Sequence, residues 1–331
     1  MQRKRSLEGL ELIARAVEAE VAADEIRHQA TVDLSIAIVS FNTRRLLLEC
    51  LASIANGIGP RHEVLVVDNA SVDGSAGAVR RAFPTVKVIE LDRNAGFAGA
   101  NNLAIRRSSG RCVLLLNSDT VVLEDALDRL VHFLDAHPGC GVVAPRLLNS
   151  DLTDQGTART FPTPAAALFG RRSFLSRAFP KNPWTRHYLL GREHEGVAPF
   201  QVDWVSGACL MVRRSAIDRA GLLDEGYFMH WEDADWCRRI KRAGYEVWCV
   251  PAARVVHHEG KSRAGWPARQ VWVFHASAFR YYASHHLAGR LSVLRPLAAA
   301  ALACRAAVII AGRALFSNPL PRRRNFDTEE T

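Results

Sequence analysis

The sequence has no Cys-x-x-Cys pair. Its seven cysteines are scattered, which excludes a zinc ribbon and a thioredoxin-type dithiol. Cys112, Cys209, Cys237 and Cys249 sit in apolar surroundings and read as small core residues, and a reducing cytoplasm fits them. No apolar run follows Arg3-Lys4-Arg5, so no signal peptide is expected. The dinucleotide fingerprint is missing too: Gly57-Ile58-Gly59 has His62 where a third glycine belongs. A nucleotide must then be held by side chains and not by a glycine-rich phosphate loop. Acid is scarce, with a net charge of +9 and seven arginines but no acid from Leu287 to Phe326. Nucleotides, lipid diphosphates, anionic membranes and nucleic acid are therefore the partner classes to weigh. Nucleic acid ranks last, because the basic residues do not line one helix and no recognition motif is present.

What is present is strand–helix alternation. Apolar strands are expected at Leu34 to Ser40, Glu63 to Val67, Val86 to Leu91 and from Val113, with helices between them and after them. The helix that starts near Leu123 stops at Pro138-Gly139. Short loops over about 110 residues predict a mostly parallel α/β sheet with right-handed crossovers. Before it, Leu10, Ile13, Ala14, Val17 and Val21 fall on one face of an expected N-terminal helix. Residues 150–200 are interrupted by proline and mix arginine with aromatics, as an acceptor-binding lid or a solvated loop would. Strand returns from Val202 to Val212, a helix follows from Ser215 to Ala220, and another strand runs from Tyr245 to Val250, ended by Pro251. A helix is expected from Trp266 to His286. The apolar run Leu297 to Gly312, interrupted by Arg305, is short for a membrane span. It reads as an interfacial helix drawn to anionic lipid or as a helix packed on the domain.

Three places carry chemistry. Val113 to Thr120 is a buried strand that ends at Asn117-Ser118-Asp119. A carboxylate there sits where open α/β sheets bind ligands and can hold a divalent cation, or it can cap the next helix. Asp68 ends the second strand, where it can contact a base or ribose or form a turn. Glu232, Asp233 and Asp235 open a helix behind Phe228, Met229 and Trp231. A carboxylate entering from an apolar wall is a candidate general base; the plain alternative is N-terminal charge on a surface helix, with Asp235 paired to Arg239. Of His257 and His258, adjacent on an extended segment, at most one faces a site.

Together, Val39-Ser40-Phe41-Asn42, the Val67 to Ser75 loop, the Asn94 to Asn102 segment, Leu116-Asn117-Ser118-Asp119, Trp204-Val205-Ser206-Gly207-Ala208, Trp231-Glu232-Asp233-Ala234-Asp235 and His257 resemble the inverting glycosyltransferases of family 2, most of all their rhamnosyltransferase-like branch. The resemblance covers about residues 33–263. It implies a GT-A fold: a central, mostly parallel sheet flanked by helices. The expected organisation is an N-terminal helical extension over 1–30 and a GT-A domain over 31–265, whose 31–120 half binds nucleotide and whose 121–265 half binds acceptor and carries catalysis. A basic, helical segment, a candidate for membrane association, covers 266–331. The resemblance also implies that Ser40, Asn42, Asp68, Asn94, Gly96, Phe97, Asn117 and Asp119 hold the nucleotide sugar. It implies acceptor contacts from Trp204, Gly207, Trp231 and Glu232, Asp233 as catalytic base, and Mg²⁺ or Mn²⁺ on Asp119 and His257. The family's metal motif is often Asp-x-Asp, and here Asn117 stands at its first position. The implied donor is dTDP-rhamnose first, with UDP- and GDP-sugars open. The implied acceptor is a glycan or a polyprenyl-diphosphate-linked glycan, reached from the cytoplasm at the inner face of the membrane in cell-wall or surface-polysaccharide synthesis. The alternative from another class is a non-catalytic sugar-nucleotide or glycan-binding module on the same fold.

Overall fold

The computed structural model describes residues 32–55, 59–163, 196, 198–258 and 267–316. The expected N-terminal helix and most of the proline-interrupted insert lie outside these residues. The chain divides into two compact units, one of residues up to Glu225 with Glu232–Ser262, the other of Gly226–Trp231 with Arg263 onward.

The first unit opens with β1 (Leu34–Ser40), α1 (Arg44–Ala55), β2 (His62–Asp68), α2 (Ser75–Ala82), β3 (Lys87–Glu90), α3 (Gly96–Arg107) and β4 (Cys112–Asn117). β1 pairs in parallel with both β2 and β4. Both central strands are buried along nearly their whole length, which is why they read as continuous apolar runs. The chain continues through β5 (Thr120–Val122), α4 (Ala126–Ala136), β6 (Cys140–Leu148), β7 (Ala158–Arg159), β8 (Phe200–Gln201), β9 (Trp204–Val205), β10 (Cys209–Arg213), α5 (Arg214–Ala220), α6 (Glu232–Arg242) and β11 (Glu246–His257). Among the described residues the sheet order is β3-β2-β1-β4-β10-β6-β11-β5, with β8 also on β11 and β7 paired separately with β9. The sheet is mixed where β10 runs antiparallel between β4 and β6.

Two local expectations are corrected and one strand is added. The helix expected near Leu123 begins at Ala126, because Thr120–Val122 first forms a strand on β11; Asp119 therefore does not cap it. Cys140–Leu148 is a central strand that the pattern did not announce, since Pro145 argues against a strand interior. Pro251 does not end β11. The ladder shifts between Val250 and Arg254, opposite Pro145 and Arg146, so both residues without an N–H fall at an interruption of the pairing.

In the second unit, α7 (Pro267–His285) is followed by a 3₁₀ turn, Gly289–Leu294, and by α8 (Arg295–Phe316). Arg305 is half-buried and its charge acts on buried His275 of α7, whose pKa is lowered by burial and by that charge. The outward positions of α8 are apolar: Leu297, Ala301, Cys304 and Val308 are exposed. The arginine that interrupts the run in sequence thus leaves the outer face unbroken. Residues 289–312 are long and apolar enough to cross a membrane.

Candidate active site

Carboxyl ends of the parallel strands carry the polar side chains. At the end of β1, Ser40 Oγ lies 2.9 Å from Thr43 Oγ1, which lies 2.8 Å from Ser118 Oγ beyond β4. Asn42 adopts a left-handed backbone with φ 54°, tolerable for asparagine. Its N–H donates to Ser71 Oγ and its Oδ1 accepts the Val72 N–H. Buried Asp68 accepts the Ser71 N–H at 2.7 Å, so one of its oxygens makes the turn bond. Asn69, which sequence reasoning passed over, ties this loop to the next: its Nδ2 donates to Asn94 Oδ1 and Gly96 O, and its Oδ1 accepts the Ala95 N–H. Gly96 opens α3 at φ 76°, with its N–H on Asn94 Oδ1. The expected nucleotide residues of three loops are therefore cross-linked by hydrogen bonds.

The β5–β11 register sets Thr120 opposite His257, and the His258 N–H donates to the Asp119 carbonyl. Asp119 Oδ1 and His257 Nε2 consequently stand 3.3 Å apart, both side chains buried. Asn117 Nδ2 reaches the same Nε2 at 3.4 Å. His258 points the other way, to Ser150. Among the described residues no group of three His, Cys, Asp or Glu side chains converges. Two acceptors this close require a positive charge between them, a proton or a cation. Cis ligands on an octahedral ion with bonds of about 2.1 Å stand about 3 Å apart, so the spacing of the pair suits two ligands of a divalent cation. Cys50 packs against this end through Asn117 O and Thr120; burial pushes its thiol up to about 12, so it is inert there.

Asp233 joins the same strand ends by another route. The Asn117 N–H donates to Ala208 O, and the neighbouring Gly207 N–H donates to Asp233 Oδ2 at 3.0 Å. Asp233 Oδ1 accepts the Ala234 N–H at 2.8 Å. A side chain at Gly207 would meet Phe97 at 3.3 Å and the Asp233 Cβ at 3.5 Å, so Phe97, Gly207 and Asp233 converge. Burial raises the Asp233 carboxyl above the ordinary aspartate value, while the Gly207 N–H and the charge of Arg159 pull it back. Arg159, on β7, lies over the ring of Trp204 at 4.8 Å. Trp204 is buried, with Nε1–H on Thr160 O. Asp235 pairs with Arg239 at 2.8 Å, leaving Asp233 as the acid of this helix turn directed to Gly207. Glu232 is buried beside it.

Trp231 lies in the second unit, packed among Phe274, Tyr281 and Tyr282. His230 and Trp231 both have left-handed backbones, φ 70° and 73°, a strain of about 1–3 kcal/mol each held in place by this aromatic cluster.

A family model described as glycosyl transferase family 2 matches residues 35–221. The N-acetylglucosaminyl-diphospho-decaprenol L-rhamnosyltransferase of Mycobacterium tuberculosis is 29% identical over 288 residues, 84% of this chain and 92% of that protein. Two solved structures share the fold: a mannosyltransferase from Pyrobaculum calidifontis in complex with GDP-Man and Mn²⁺, at TM-score 0.53, 21% identity, 88% of this chain and 79% of that one, and GalNAc-T7 with UDP, GalNAc and Mn²⁺, at TM-score 0.55, 16% identity, 80% and 54%.

Proposed function

Since the chain belongs to glycosyl transferase family 2 and has the GT-A fold, we propose that it moves a sugar, rhamnose first, from a nucleoside-diphosphate donor to a glycan on a polyprenyl diphosphate, with inversion. The observation that carries this reading is the meeting of Asp119 Oδ1 and His257 Nε2 at 3.3 Å on strand ends that also bear Asp233 through Gly207. The similarity to a relative named for a decaprenyl-diphosphate acceptor and L-rhamnose supports the substrate classes.

Residues 31–120 form the nucleotide-binding half. Asp68, Ser40 and Asn42 line the pocket for base and ribose, and Asn94, Gly96 and Phe97 approach the sugar diphosphate. Asp119 and His257, with Asn117 beside them, hold Mg²⁺ or Mn²⁺. When bound, the ion neutralises charge on the departing diphosphate. Residues 121–265 supply the acceptor side, where Trp204, Gly207 and Glu232 of the first unit shape the entry. Asp233 takes the proton of the acceptor hydroxyl. That oxygen bonds to the anomeric carbon from the face opposite the diphosphate. The anomeric carbon–oxygen bond breaks, and its electron pair leaves with the nucleoside diphosphate. Held by two backbone N–H groups, Asp233 keeps one orientation, and its raised pKa makes it a better base than a free aspartate. The apolar outer face of α8 and the arginines around it serve a peripheral contact with the inner face of the cytoplasmic membrane, where a lipid-linked acceptor resides.

The test is a donor screen. Purified protein with Mg²⁺ or Mn²⁺ is incubated with dTDP-, UDP- and GDP-sugars, and nucleoside diphosphate released by slow hydrolysis is followed. Release from one donor, lost with chelator and reduced at least about 100-fold in Asp119→Ala, is expected. Release from a donor that survives both chelator and Asp119→Ala would overturn the metal-assisted reading. If no donor or nucleoside diphosphate raised the melting temperature, the donor reading would fall.

A further inference from the structure

The imidazole of His257 is oriented by a relay that starts at an exposed carboxylate. Asp151 accepts the Thr153 hydroxyl proton at 2.6 Å; that hydrogen bond and the Thr153 N–H hold the carboxyl below the ordinary aspartate value. Having donated, Thr153 Oγ1 is an acceptor for Asn149 Nδ2 at 2.9 Å. The Asn149 amide is thereby turned so that its Oδ1 accepts Gln155 Nε2 at 3.0 Å. Gln155 Nε2 also donates to the main-chain carbonyl of His257 at 3.1 Å. With its nitrogen committed twice, Gln155 must present Oε1 to His257 Nδ1, 2.7 Å away. An amide oxygen only accepts, so Nδ1 carries a hydrogen toward Gln155, and Nε2, on the Asp119 side, is the nitrogen left to take a cation. Gln155 is buried and its N–H is fixed on Leu147 O, so the ring has no freedom to flip.

We propose that Gln155 is a positioning residue for the cation site: it fixes the His257 tautomer and aims Nε2 at the place a divalent ion occupies beside Asp119. This rests on the metal reading of Asp119 and His257 given above. Partners that hold the far nitrogen of a metal-binding histidine are typically worth 10–100-fold in metal affinity. Asn149, Thr153 and Asp151 act one step further out by fixing which way the Gln155 amide faces.

The experiment uses the full chain and reads binding of Mn²⁺ alone by the loss of the free-ion electron paramagnetic resonance signal as protein is added. Two variants separate orientation from folding. Gln155→Leu removes both functions of the amide. Gln155→Glu keeps an oxygen for the Nδ1–H but loses the two bonds made by Nε2. Gln155→Leu is expected to bind Mn²⁺ about 10–100-fold more weakly, while Gln155→Glu stays near the wild type and both keep the wild-type circular dichroism spectrum. Equal loss in both variants would mean that Gln155 acts only by holding its loop, and the inference would fail. Equal binding by Gln155→Leu and wild type would also overturn it, leaving the metal reading intact. No Mn²⁺ binding by the wild type would overturn the metal reading and the inference with it.

Discussion

A single side chain can change identity between sequence and structure, and Asp233 does so. In the sequence it is one of three acids at a helix start, a pattern that surface helices share. In the fold Asp235 is taken by Arg239, and only Asp233 is turned to the Gly207 N–H and raised by burial. The sign of its effect on rate follows. A base works when deprotonated, so the acidic limb of kcat/KM should lie above the pH of an ordinary aspartate. Arg159 holds that value down, so Arg159→Gln is expected to move the limb to higher pH and to slow the reaction most at acidic pH. Measured pH profiles of the two proteins check this; superimposable limbs would remove Asp233 from the role of base. Other residues were not legible. Asn69, Gln155 and Arg159 lie in loops or in a two-residue strand without periodicity, and their partners are remote in sequence. Gln155 and His257 are 102 residues apart, and nothing in a local pattern joins them.

At the scale of elements, the central strands β1 and β4 of the parallel half were plain because both are buried on both faces and bounded by turn formers. Where the sheet turns mixed, the pattern failed for a physical reason: Pro145 and Pro251 stand in strands whose ladder breaks to accommodate them. Helix α8 gives the opposite lesson, since Arg305 looked like an interruption and instead faces inward, its charge acting on His275. Leu297 and Val308 are 69% and 71% exposed on the outer side, which is the face an acyl layer would cover. The double variant Leu297→Glu, Val308→Glu is expected to lose flotation with vesicles containing anionic lipid and to keep the wild-type rate of donor hydrolysis. Wild-type protein that ignores anionic vesicles at low salt would refute the contact.

For the molecule as a whole, the fold class and the family were legible because the motifs fall at successive strand ends in one order along the chain. What the order could not reveal was how the last strand returns. β11 is the next-to-last strand of the sheet by position, and its last residue, His257, meets Asp119 only because β5 lies on it, opposite Thr120. The two side chains are brought together across about 140 residues of chain. Closing so long a loop is slow, because its entropy is lost before the contacts repay it. If Asp119 and His257 hold an ion as proposed, its site is a clock for folding. During refolding from denaturant, secondary structure should return first, and Mn²⁺-dependent protection of the protein should return with the slowest phase. On the proposed reading, a chain released from the ribosome before β11 is complete would lack His257 and could not hold the ion.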